Sequence, residues 1–216
     1  MESRRMNVIW DIIQGGDDWI GIRKGKITAS NLDKIITAKT CAISKQSDDF
    51  INELIEECFF KNLPSWSGNF WMEWGKEYEA EARLEFSKHT GLAVREAGFV
   101  IGDDPTVGCS PDGLIMAGEE IISGVEIKCP RPKTHIGYIR DGVLPDAYIQ
   151  QVHGSMAITG LDTWHFWSYA KGLMPLHIIV KRNDYTAKLG TALAQFVASY
   201  KAAYADALPR LKIPNQ

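Results

Sequence analysis

Ser110-Pro111-Asp112-Gly113, followed fourteen positions after the aspartate by Glu126-Ile127-Lys128, is the stretch that decides how this chain is read. Pro111-Asp112-Gly113 is turn chemistry, and the apolar run around Glu126 has the composition of a strand. Side chains alternate in a strand, so Glu126 and Lys128 share one face while Val125, Ile127 and Cys129 share the other. An acid and an amine then stand side by side. If Asp112 leaves its turn toward that face, two carboxylates offer oxygen ligands to a divalent ion, and the lysine is placed to orient or deprotonate a water. Phosphodiester hydrolysis needs this equipment. An acid-x-lysine pair arises about once by chance in a chain of ordinary composition, and alone it reads as an exposed strand face. The Pro-Asp turn, a third carboxylate at Glu79 and a basic run after Lys128 shift the balance toward a nuclease site.

Working outward, Trp74, Tyr78, Ala82 and Phe86 form a slanting stripe on a helix that Gly91 ends. Glu79 falls at the edge of that stripe, where it can point into a pocket. Earlier, Thr28 or Ser30 is predicted to cap a helix through about Thr37. Asp48 or Asp49 opens another, whose Ile51, Leu54, Ile55, Cys58 and Phe59 follow helical spacing. In the centre, short apolar runs near 98–101, 106–109, 114–116 and 121–129 are separated by turn signals and predict an antiparallel meander. Beyond it, Pro145 and Gly160 bracket a helix, and 164–169 and 176–181 read as strands joined around Gly172. Asn183 or Asp184 caps a long helix to about Ala207, with Leu189, Leu193, Phe196, Val197 and Tyr200 on its packed side.

The 216 residues carry 24 basic and 27 acidic side chains, a net charge of −3, which argues against a general coating of polyanions and leaves room for a local basic site. Lys128, Arg131, Lys133 and Arg140 are candidates for one, although charge alone fits solvated faces of unrelated elements equally well. With 45% apolar and 24% charged residues, disordered and fibrous classes are excluded. The expected organisation is a single domain over residues 1–216. No apolar run is long enough for a membrane helix and no secretory stretch opens the chain, so a cytoplasmic location is expected. Cys41, Cys58, Cys109 and Cys129 are too widely spaced for a zinc or iron–sulfur framework, and read as small apolar residues. His135, His153, His165 and His177 are scattered without ligand spacing.

Gln14-Gly15-Gly16-Asp17-Asp18-Trp19, Ile22-Arg23, Ile27-Thr28-Ala29-Ser30, Trp74-Gly75-Lys76-Glu77-Tyr78-Glu79, the Ser110 and Glu126 motifs, and Ala147-Tyr148-Ile149-Gln150-Gln151-Val152 occur in the order found in another group of proteins. Together, over roughly residues 14 to 160, they resemble the bacteriophage lambda exonuclease family of viral recombination nucleases. The resemblance implies an α/β (α+β) fold, the type II restriction-endonuclease-like PD-(D/E)xK core, with a central mixed sheet flanked by helices. It implies magnesium-dependent 5′ to 3′ digestion of linear duplex DNA from 5′-phosphorylated ends. The products would be 5′-mononucleotides and 3′ overhangs for recombination by strand annealing. By the same resemblance, Glu79, Asp112, Glu126 and the Ile127 carbonyl hold two magnesium ions, for which manganese is a substitute. Lys128 serves the attacking water with help from Gln151. Arg23, Ser30 and Ser110 hold the terminal phosphate, Tyr148 lines the site, and Met72 stands where the family has an apolar wedge. A homotrimeric ring on double-stranded DNA ends and a single-strand annealing partner are implied as well, in a bacterial host's cytoplasm. The sequence contains no nucleotide-binding phosphate loop, in keeping with a nuclease that needs no ATP.

Ordinary roles compete residue by residue. Arg23 reads equally as a surface cation, Ser30 as a helix cap, and Tyr148 with Gln151 as a pair bridging core and solvent. Trp164, Phe166 and Trp167 read as packing, while Trp66, Trp71 and Trp74 lie in sequence near the expected wedge. Two other functions fit the same residues. A PD-(D/E)xK endonuclease, such as a restriction or junction-cleaving enzyme, cuts closed circles, whereas a non-catalytic DNA-end-binding module cuts nothing.

Overall fold

A computed structural model of the chain describes residues 6–60 and 70–211, with the side chains of 70–73 and 75–76 outside the description. In chain order the elements begin with β1 (Asn7–Ile9), α1 (Asp17–Arg23), β2 (Ile27–Thr28), a 3-10 turn (Ala29–Asn31), α2 (Leu32–Ile35), α3 (Ser47–Phe59) and α4 (Phe70–Thr90). They continue with β3 (Ala93–Arg95), β4 (Phe99–Ile101), β5 (Val107–Cys109), β6 (Gly113–Ala117) and β7 (Glu120–Lys128). Last come α5 (Pro132–Asp141), α6 (Asp146–Thr159), β8 (Thr163–Ser168), β9 (Leu176–Lys181) and α7 (Asp184–Leu211).

The longest strand, β7, explains the layout. Residues 123–127 are buried without a break, so both of its faces must be covered. It occupies the middle of a sheet ordered β3-β6-β7-β8-β9, in which β7 and β8 run parallel and the other pairs antiparallel. Val125, Ile127 and Cys129 pack with Trp167 against Ala82 and Phe86 of α4. Trp164 and Phe166 turn to the opposite face, onto Val152 and Met156 of α6. Helices thus flank a mixed sheet, the expected fold class. The second sheet, ordered β1-β4-β5-β2, is also mixed, since only β2 and β5 are parallel. Gly108 is required there, because a Cβ would lie 2.2 Å from the Phe99 ring and 2.7 Å from the Val100 carbonyl oxygen.

The expected meander is divided between these sheets. β4 pairs with β5 in one and β6 with β7 in the other, and the chain crosses at Ser110-Pro111-Asp112. Pro111 has no N–H with which to extend a ladder. The Gln14 side-chain amide then secures the crossing, donating to the carbonyls of Pro111 and Ala97, each at 2.8 Å.

The helix expected from Thr28 or Ser30 to about Thr37 is a correction too. It is a 3-10 turn and one turn of α2, after which Ile36 bridges to Ile43. The β-branched run Ile35-Ile36-Thr37 favours extended backbone at that point. Not anticipated were β1, β2, β3 and α5. The last carries readable signals, Pro132 in its first turn and Gly142 at φ 65° after its end. Cys58 is exposed, while Cys41, Cys109 and Cys129 are buried as expected, and all four are free.

The later elements match. α6 ends on Gly160 at φ 78°, β8 and β9 pair antiparallel, and the Asn183 side chain caps α7 by accepting from the N–H groups of Tyr185 and Thr186. Among the described residues, no helix is long and apolar enough to cross a membrane.

Candidate active site

The strand alternation of β7 has the predicted result: Glu126 and Lys128 stand on one face and form an ion pair. The glutamate side chain is 2% exposed and the lysine 26%. Gln151 of α6 donates from Nε2 to Glu126 Oε1 at 2.6 Å. Asp112 leaves the sheet crossing in the direction the sequence required, and its Oδ2 accepts the Ile127 N–H at 2.6 Å. The third acid arrives on α4, where Glu79 Oε1 accepts from Arg83 Nη2 at 2.8 Å. Arg83 also donates from Nε to the Asp112 carbonyl oxygen at 2.9 Å, joining helix to turn. Tyr148 lies beneath the lysine, with Nζ 5.3 Å from its ring centroid, and stacks on Phe166.

Burial dominates the electrostatics here. It pushes Glu126 up from 4.5 to about 7, against the pull of Lys128 and with the repulsion of Asp112 added. Asp112 is raised by burial despite Lys128 and the Ile127 N–H, and Glu79 by burial and then by Asp112. Burial disfavours charge on Lys128 as well, but Glu126 and Asp112 outweigh it and hold the ammonium protonated. Among the described residues, no three histidine, cysteine, aspartate or glutamate side chains are grouped so as to hold a metal ion. The three acids are turned instead onto Arg83, the Ile127 N–H, and Lys128 with Gln151. All the ligand atoms they offer are oxygen, which suits a hard divalent cation.

Beside this centre the structure gathers Arg23, Ser30 and Ser110. Arg23 ends α1, and β2 lies parallel to β5, so the residues leaving those strands meet the guanidinium. Nη1 donates to Ser110 Oγ at 3.2 Å, while Nη2 donates to Ser30 Oγ at 3.2 Å and Thr28 Oγ1 at 3.3 Å. The Trp19 ring stacks on the guanidinium at 4.2 Å, and its indole N–H donates to Ser110 Oγ at 2.8 Å. Burial lowers the Arg23 pKa from its ordinary value. A cation ringed by hydroxyls is a cup for an anion. The sequence alone suggested Thr28 as a cap and, like Trp19, as part of a motif, with no phosphate-binding role for either and none for Gln14 or Arg83. Trp19 and Arg23 were legible as an i, i+4 pair on one helix face.

Ser30 lies inside the 3-10 turn rather than capping a helix. Trp164 and Trp167 are buried packing residues, as expected, and Trp74 packs against Tyr78 with centroids 4.5 Å apart and the rings tilted by 42°. The Met72 assignment lies outside the described side chains, as do Trp66 and Trp71. His153 bonds Thr186 within the fold. The histidines are less scattered than their spacing suggested, since His165 and His177 meet across β8 and β9 at 2.8 Å.

Comparison with known proteins bears on the family and the fold. The YqaJ-like viral recombinase domain matches residues 18–162. Among solved structures, the alkaline exonuclease LHK-Exo of Laribacter hongkongensis is 30% identical with a TM-score of 0.77, over 90% of this chain and 97% of that one. LHK-Exo in complex with dAMP matches at 28% identity and a TM-score of 0.71, over 90% and 99% of the two chains. A phage-related exonuclease from Haemophilus somnus 129PT shares the fold at 14% identity and a TM-score of 0.65, over 87% and 96%. Comparison with curated proteins gives no match.

Proposed function

The chain belongs to the YqaJ-like viral recombinase family, and from that premise we propose that it is a magnesium-dependent exonuclease that digests linear duplex DNA from 5′-phosphorylated ends. The observation that carries the reading is the short path between cup and centre. Ser110 bonds Arg23 while Asp112 bonds the β7 backbone, and two residues of extended chain span at most about 7 Å. That short path supports a reading in which a terminal phosphate in the cup has the next phosphodiester at the carboxylates, one nucleotide away, so that the product is a 5′-mononucleotide.

Glu79, Asp112, Glu126 and the Ile127 carbonyl are the residues that would hold two magnesium ions. Bound there, the ions supply charge neutralisation at the phosphate, an acidified water and stabilisation of the leaving oxygen. Lys128, paired with Glu126, is placed to orient or activate the attacking water and to face the developing negative charge. Gln151 fixes the Glu126 carboxylate, leaving one defined oxygen for the reaction. Arg23 binds the terminal phosphate, and Ser110, Ser30 and Thr28 turn their hydroxyls toward it. Tyr148 supports Lys128 from below.

The proposal extends, on the family resemblance, to a trimeric ring on the duplex, an annealing partner for the 3′ strand, and action in the host cytoplasm. Linear duplex and covalently closed circles incubated with magnesium test it: the linear DNA is expected to be degraded and the circles to persist. Cut circles would indicate an endonuclease, and no cleavage of either a DNA-binding module.

A further inference from the structure

Arg83 follows Glu79 by one helical turn on α4, beside the buried Ala82 and Phe86, and its side chain is 15% exposed. Its guanidinium reaches three acceptors: the Asp112 carbonyl oxygen from Nε at 2.9 Å, Glu79 Oε1 from Nη2 at 2.8 Å, and the Glu96 carboxylate from Nη1. Two of these acceptors belong to acids assigned above to the cations. They come from a helix and from a sheet-crossing turn, separate elements that need a tie to keep a fixed spacing.

We infer that Arg83 is a positioning residue for the cation centre. It holds Glu79 through one oxygen, leaves the other for a cation, and locks α4 to the turn that carries Asp112. The inference rests on reading Glu79, Asp112 and Glu126 as ligands.

Charge and geometry make opposite demands at this position, which allows them to be separated. A guanidinium near a cation site repels the cation, so charge alone makes Arg83→Gln bind magnesium more tightly. A planar fork that fixes two ligands lowers the cost of assembling the site, and losing such a partner weakens metal affinity by about 10–100-fold. Lysine keeps the charge but, as a point donor, cannot span the same acceptors.

The test is calorimetric titration of magnesium into DNA-free protein, with the magnesium dependence of digestion and the melting temperature in EDTA followed in parallel. The proteins are wild type, Arg83→Gln, Arg83→Lys and Glu79→Gln. Both Arg83 variants are expected to melt cooperatively, to bind magnesium at least about tenfold more weakly, and to regain turnover at saturating magnesium. Unchanged or tighter binding by Arg83→Gln, or full rescue by Arg83→Lys, overturns the positioning role. If Glu79→Gln binds magnesium as the wild type does, the ligand reading itself fails. If Glu79→Gln loses affinity while Arg83→Gln keeps it, only the inference about Arg83 fails.

Discussion

The Arg23 cup and the Glu126 centre meet at neighbouring residues, Ser110 and Asp112, but they handle charge differently. In the cup one cation is matched by an indole and by three hydroxyls, whose donors rotate at little cost. An anion entering it finds partners already in place. In the centre three acids crowd together, and burial raises all three above their ordinary values. On the proposed function, bound cations would relieve that electrostatic cost. The proposal therefore separates recognition from chemistry, with the cup complete without help and the centre in need of cations.

Substitutions should therefore divide cleanly between the two regions. The largest effect is expected from Asp112→Asn, which removes a ligand charge but keeps the shape. Mononucleotide release should fall by about 10²–10³-fold, while binding of phosphorylated ends, measured by fluorescence anisotropy in calcium, stays near wild type. Arg23→Ala should do the reverse. The rate on 5′-phosphorylated ends should fall about 10–100-fold, the scale of lost charge-assisted hydrogen bonds, and the rate on 5′-hydroxyl ends should barely move. Equal wild-type rates on both ends would break the assignment of the cup.

A smaller effect lies in the pH dependence of folding. Glu126 has its folded pKa raised from 4.5 to about 7, so the native state binds more protons than the unfolded chain across that interval. Its contribution therefore lowers stability as pH rises from about 4.5 to 7. Other groups titrate there too; His165, held near 4 by burial and by His177, contributes with the opposite sign. The comparison to make is between wild type and Glu126→Gln melted in EDTA: the glutamine variant should gain relative stability as pH rises. The smallest effect is expected from Trp19→Phe. It keeps a ring under Arg23 and loses the N–H to Ser110, for a reduction of about fivefold in end preference.

The two regions also differed in how far they could be read from sequence. Glu126 and Lys128 were placed by strand alternation alone, because a period of two fixes which residues share a face. The cup depended on resemblance, since Arg23, Ser30 and Ser110 come from a helix end, a 3-10 turn and the exit of β5, and their meeting is set by the β2–β5 pairing. Arg83 was hidden in a charged helix, where an i, i+4 acid–base pair is ordinary. The division of the strands into two sheets was likewise hidden. It is a matter of which strands pair, and the Gln14 side chain that bonds Pro111 and Ala97 at the crossing joins residues far apart in the chain. The late helices were legible because Gly160 and Asn183 mark their ends by local geometry.

The central claim is that the phosphate cup and the acidic centre are set one nucleotide apart. The size of the first labelled product from a duplex carrying radioactive 5′-phosphates tests it most directly. With magnesium, the label should appear at once as a 5′-mononucleotide, and with EDTA it should stay on the duplex. Label released first in a dinucleotide or longer fragment would contradict the account.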